Sequence, residues 1–133
     1  MKFFNRRGEH DVIDFTTEFN WLKAKEKNGY YEIRTPLLIR MAHCSLVLRI
    51  IPLEDSYVVS DDGLLFAECG NHDTAFYYNH YVKNCGYPNY GIQLEGDFFY
   101  KKYDNSYTPL AAISDFIHFF IYLEEHIEKS GIL

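Results

Sequence analysis

Asp61 and Asp62 are the residues in this chain best suited, by type and spacing, to do chemistry. Adjacent carboxylates can hold Mg²⁺ or divide acid and base roles. Neighbours on a strand point to opposite faces, so the two converge only at a turn. Gly63 follows directly, and Asp-Gly is a strong signal for a type I′ turn. Gly accepts positive φ without steric cost, and Asp accepts it better than most residues. Turn chemistry thus accounts for both carboxylates without catalysis. A metal-dependent nuclease would also need a Glu-x-Lys arrangement on a nearby strand, and the sequence has none.

The six histidines add little. His72 and His80 stand eight apart, as do His118 and His126, whereas metal ligands sharing one helix face are three or four apart. His118 follows Asp115 by three positions and can take a local hydrogen bond. Cys44, Cys69 and Cys85 are an odd number without a C-x-x-C pair, so neither a disulfide framework nor a zinc site is indicated. Reduced, partly buried thiols are expected. There is no Gly-rich phosphate loop, no G-x-S-x-G and no Cys–His arrangement of readable spacing. No catalytic residue, metal or cofactor is expected.

Aromatic residues are the compositional oddity: twelve Tyr and eleven Phe make the chain 18% aromatic. Core packing absorbs most Phe, but Tyr has an apolar body and a polar tip and is favoured at interfaces. The series Tyr77, Tyr78, Tyr81, Tyr87, Tyr90, Tyr100, Tyr103 and Tyr107 is dense. About half should pack on a sheet with their hydroxyls at its rim. Tyr78, Tyr87, Tyr90 and Tyr103 are expected to point outward and, with Asp97 and Asp104, to form an acidic contact surface. A net charge of −6 argues against nucleic acid, because neutralising phosphates needs clustered Lys and Arg.

The elements that must position these residues follow from the alternation of apolar side chains. With 133 residues the chain is expected to be one domain, 1–133, burying roughly two-thirds of its unfolded surface. Residues 1–10 read as a flexible or docking arm around Arg6-Arg7-Gly8. Residues 14–28 read as a helix with Phe15, Phe19 and Leu22 on one face, Lys23, Lys25 and Lys27 near its end and Gly29 after it. Residues 30–34 alternate as a strand that stops at Thr35-Pro36.

Residues 45–67 are the centre of the reading. Three apolar β-rich runs are separated by the loop 52–56 and by Asp62-Gly63, which predicts three antiparallel strands in a row. A second helix is expected over 73–84 and a late hairpin over 90–102. Thr108-Pro109 then opens the last and longest helix: a capping hydroxyl is followed by proline at the first helical position. The longest apolar stretch, 110–123, is interrupted by Asp115 and His118 and is shorter than the ~20 residues that span a bilayer. The amino terminus has no apolar run long enough for a signal peptide, so a cytoplasmic, membrane-free protein is expected.

From Tyr30 onward the chain resembles a small domain-of-unknown-function family common in prophages and mobile elements, the family numbered eighteen twenty-eight. Thr35-Pro36-Leu37 with Arg40 matches the family's strand end and Arg-containing turn. The run from Tyr57 through Val58, Val59, Ser60, Asp61, Asp62 and Gly63 matches its aromatic–apolar–Ser-Asp-Asp-Gly piece, and Gly86 matches its helix end. The matching motifs amount to about ten residues. Where the family tends to carry Asp before the Arg and His-Asn-Asp after it, Ile39, Met41, Ala42 and His43 stand here. The resemblance implies a fold plan and a mobile-element setting rather than a mechanism.

Together these readings predict an α+β fold, with an antiparallel sheet of about five strands packed against three helices. They point to a non-enzymatic interaction module of a phage or mobile element. It would bind a host protein, such as a component of CRISPR or restriction defence, through an acidic, Tyr-rich face. Two other readings stand beside it: a small metal-dependent hydrolase or nuclease-like enzyme using Asp61, Asp62 and a histidine, and a structural or regulatory homodimer.

Overall fold

Strand parity assigns the side chains of this protein to two faces. The structure, a computed structural model, describes residues 23–39, 44–63, 89–96 and 98–129. Six strands, β1 (Lys23–Lys27), β2 (Tyr30–Ile39), β3 (Cys44–Pro52), β4 (Ser56–Ser60), β5 (Gln93–Glu95) and β6 (Phe98–Asp104), precede one helix, α1 (Pro109–Lys129). They form one sheet in the order β1-β2-β3-β4-β6-β5, with every neighbouring pair antiparallel. Tyr31 and Ile33, Leu46, Leu48 and Ile50, Tyr57 and Val59, and Phe99 and Tyr103 alternate onto the inner face and are buried. Ala112, Ile113, Phe116, Phe119, Phe120 and Leu123 recur at helical spacing on α1 and complete that core. Phe99 packs edge-on against both Phe119 and Phe120, with centroids 5.4 Å apart in each case.

Local chemistry explains the element boundaries. The Thr108 hydroxyl accepts from the Ala111 amide at 3.3 Å, and its carbonyl takes the Ala112 amide at 3.0 Å, so Thr108 caps α1 ahead of Pro109. Asp62 and Gly63 both take positive φ, 53° and 78°, as a type I′ turn requires. No helix among the described residues is long and apolar enough to cross a membrane.

Several sequence expectations are corrected here. Among the described residues there are six strands and one helix, not about five strands packed by three helices, so the fold is mostly sheet. Lys23, Lys25 and Lys27 belong to strand β1 and do not end a helix; Lys27 pairs with Tyr30 across Asn28-Gly29, with Gly29 at φ +89°. The remainder of the predicted first helix (14–22), the second helix (73–84) and Arg40 lie outside the described residues. The predicted stop at Thr35-Pro36 is instead a bulge inside β2. Between the pairs Arg34–Val47 and Leu38–Ser45, β2 advances four residues where β3 advances two. Buried Thr35 makes this tolerable: its hydroxyl donates to the Leu46 carbonyl at 2.8 Å and accepts from the Leu37 amide at 3.2 Å. The third run of the predicted meander, 64–66, also lies outside the described residues. The place beside β4 that it was to fill is taken by β6, which begins at Phe98, more than thirty positions beyond the expected neighbour.

Candidate functional site

The outward residues of the sheet form one continuous row. Register places Lys25 beside Glu32, Glu32 beside Arg49, Arg49 beside Ser60, Ser60 beside Tyr100 and Tyr100 beside Gln93, crossing all six strands. Residues two apart on a strand share a face, so Ile51, Phe98 and Glu95 flank that row. Tyr30, Arg49, Ile51, Asp62, Glu95, Phe98 and Tyr100 line a hollow of about 340 Å³.

Arg49 is held on two sides. Its Nη2 lies 2.8 Å from Asp62 Oδ2, and its guanidinium carbon sits 4.6 Å from the Tyr30 ring centroid. Phe98 and Tyr100 meet edge-on at 6.3 Å. The Tyr100 hydroxyl donates to Gln93 Oε1 at 2.8 Å; desolvation, then the Glu95 carboxylate beside it, raise its pKa above the ordinary phenol value. Ile51 and Phe98 remain 36% and 40% exposed, a large apolar area to leave around a charged pair.

Asp61 and Asp62 diverge. Asp61 is buried, and its Oδ1 accepts from the Phe99 amide at 2.9 Å and the Gly63 amide at 3.1 Å. Asp62 turns outward to Arg49. One carboxylate closes the end of the β4–β6 pairing and the other holds a surface cation, so the two do not share a ligand. Among the described residues no group of three or more His, Cys, Asp or Glu is placed to hold a metal. His118 bonds its own helix, with Nδ1 2.8 Å from the Ser114 carbonyl, in place of the expected Asp115.

The predicted acidic tyrosine surface is not what the described residues assemble. Tyr78, Tyr87 and Asp97 lie outside them. Tyr103, expected outward, is only 4% exposed, because its parity on β6 is that of Phe99. Its ring lies between Tyr57 and Tyr107, at 5.4 and 5.1 Å, and its hydroxyl donates to Asp115 Oδ2 at 3.2 Å. Burial, then the Asp115 charge, drive its pKa well above the ordinary phenol value.

Tyr90 is half-buried at φ +56°, with its carbonyl accepting from Lys101 Nζ at 2.6 Å. The same Nζ sits 4.7 Å from the Tyr103 ring, so Lys101 ties both tyrosines to the helix side. Asp104 is exposed, but its Oδ1 accepts from the Ser106 amide at 2.8 Å, a bond that lowers its carboxyl pKa. It serves the turn before α1.

Sequence reasoning missed the residues that do line the hollow. Arg49 was the available signal: a lone charge inside the apolar run 46–51, at a position whose parity opposes Leu48 and Ile50. Phe98 and Tyr100 were legible in the same way, because they straddle a buried Phe99. No protein-family model, curated protein or solved structure matches the chain.

Proposed function

We propose that this protein is a non-enzymatic, cytoplasmic protein-interaction module that engages a partner protein through the open face of its sheet. One observation carries the reading. Exposed Ile51 and Phe98 surround a charge network that is already satisfied within the chain, and among the described residues no element packs on that face. Aromatic and Arg side chains at the centre of a mixed-charge patch are the composition of protein interfaces. Asp61 and Asp62 give no support to the hydrolase alternative, since each is engaged separately. The net charge of −6 favours a partner with a basic surface. A host protein, in a phage or mobile-element setting, is the partner that the resemblance over Thr35-Pro36-Leu37 and residues 57–63 suggests.

The test is affinity capture from host lysate followed by binding measurements on the purified partner. Phe98→Ser should weaken binding by tenfold or more, roughly the 1.4 kcal/mol of a modest hot spot, while the melting temperature stays unchanged. Unchanged affinity in that variant would sink the face as the interface. A concentration-dependent rise in mass by sedimentation, abolished by Phe98→Ser, would identify the partner as a second copy of this chain.

A further inference from the structure

We infer that the hollow on the open face receives an arginine side chain from the protein partner; this rests on the interface reading above. The hollow gathers three rings, Tyr30, Phe98 and Tyr100, and two carboxylates, Asp62 and Glu95, around a single cation. Arg49 is that cation, and it is already engaged by Asp62 at 2.8 Å and by the Tyr30 ring at 4.6 Å. An incoming anion would have to displace Asp62 and would then face Glu95 as well. An incoming cation meets neither obstacle.

Glu95 sits opposite Phe98 in register and has no cationic partner among the described residues. Its neighbour Tyr100 bonds Gln93 through its hydroxyl and also brings that hydroxyl to Glu95, so the Tyr100 ring lies next to the carboxylate. A planar guanidinium can pair with a carboxylate in fork geometry and lie on an aromatic ring at the same time, which a lysine ammonium cannot do as well. The volume of about 340 Å³ admits such a head group with its apolar stem along Ile51 and Val58. The charge of −6 over the whole chain works in the same direction, by drawing basic partners to the surface.

The experiment is a titration of the isotope-labelled full chain with Nα-acetyl-arginine amide at low salt, followed by amide chemical shifts. The citrulline analogue (same shape, no charge), acetate and inorganic phosphate are run in parallel. Saturable shifts centred on Glu95, Phe98 and Tyr100 are expected with the arginine amide. Binding should be roughly tenfold weaker with citrulline, whose neutral head loses the charge-assisted pairing. Glu95→Gln should abolish the arginine shifts while its remaining sheet resonances stay in place.

Absence of saturable shifts, equal binding of citrulline, or larger shifts from acetate or phosphate would each overturn the assignment. If the arginine amide fails while Phe98→Ser still abolishes partner capture, the arginine assignment falls and the interface reading survives. If the arginine amide binds while Phe98→Ser leaves capture intact, the hollow stands as an arginine site and the interface reading falls.

Discussion

Two aromatic clusters on opposite faces of one sheet use the same residue type to different ends. On the inner side, Tyr57, Tyr103 and Tyr107 stack in sequence. The Tyr103 and Tyr107 hydroxyls both converge on Asp115 Oδ2, and the Tyr57 hydroxyl donates to the Tyr107 carbonyl. On the outer side, Tyr30 and Tyr100 flank a hollow with their rings accessible and an ion pair between them. Parity alone separates the two: Tyr100 and Tyr103 are three apart on one strand, so they cannot share a face. A tyrosine count therefore says little about an interface until the strand phase is known. The inner cluster joins the last helix to the sheet, while the outer one lies on the face away from it.

The sharpest way to break the comparison is at two adjacent residues. Phe99 is fully buried against Phe119 and Phe120, whereas Phe98 is 40% exposed. Phe99→Ala should cost about 3–5 kcal/mol through lost burial and a cavity. Phe98→Ala should cost less than about 1 kcal/mol. Urea denaturation of both variants checks this, and equal costs would mean that the outer face is covered as thoroughly as the inner one.

The adjacent carboxylates repeat the contrast on a smaller scale. Asp61→Ala strips a buried acceptor from the Phe99 and Gly63 amides and should cost about 1–3 kcal/mol. If the loss in denaturation midpoint were no greater than that of Asp62→Ala, Asp61 would not be tying the end of β4 to β6.

Parity also explains what could be read in advance. The strands over 46–51 and 57–59, the late hairpin, the Asp62-Gly63 turn and the Thr108-Pro109 helix start all carry dense local signals, and all are observed. The first helix failed at its described end because Lys23, Lys25 and Lys27 fit a helix terminus by charge, while Asn28-Gly29 fits a hairpin by turn chemistry. Gly29 has positive φ in either case, and tertiary pairing with β2 decided. Thr35-Pro36 looked like a stop because proline lacks a donor; the Thr35 hydroxyl bridging to Leu46 lets the strand continue. Strand order was not legible, since nothing local says that β6 rather than the next segment lies beside β4. The hollow inherits that gap, because its residues come from β2, β3, β4, β5, β6 and a turn.

Alkaline pH should probe the inner cluster most strongly. Burial, above all, raises the folded-state pKa values of Tyr57 and Tyr103 well above the ordinary phenol range. Below about pH 10 both phenols keep their protons in both states, and the stabilisation is fully present. Above it the unfolded chain releases those protons while the folded chain retains them, so stability falls as pH rises. Denaturation midpoints measured from pH 8 to 11.5 should show that fall, and Tyr57→Phe should make it shallower. That variant should also lose about 1 kcal/mol at neutral pH with its bond to the Tyr107 carbonyl. A fall of unchanged steepness would show that the cluster opens before it titrates.

The smallest expected effect bears on whether the outer face is open at all. The Arg49 and Asp62 side chains are 36% and 53% accessible, so water and salt screen their 2.8 Å contact. Exposed pairs of this kind are worth about 0–1 kcal/mol. A double-mutant cycle with Arg49→Ala and Asp62→Ala should therefore return a coupling below about 1 kcal/mol, shrinking further in 1 M salt. Part of the Arg49→Ala effect should persist in the Asp62→Ala background, because the guanidinium also lies over Tyr30. A coupling above about 2 kcal/mol, insensitive to salt, is the behaviour of a desolvated pair. It would mean that another part of the chain or a second copy covers this face in solution, and the division between an inner cluster tied to the helix and an open outer one would fail.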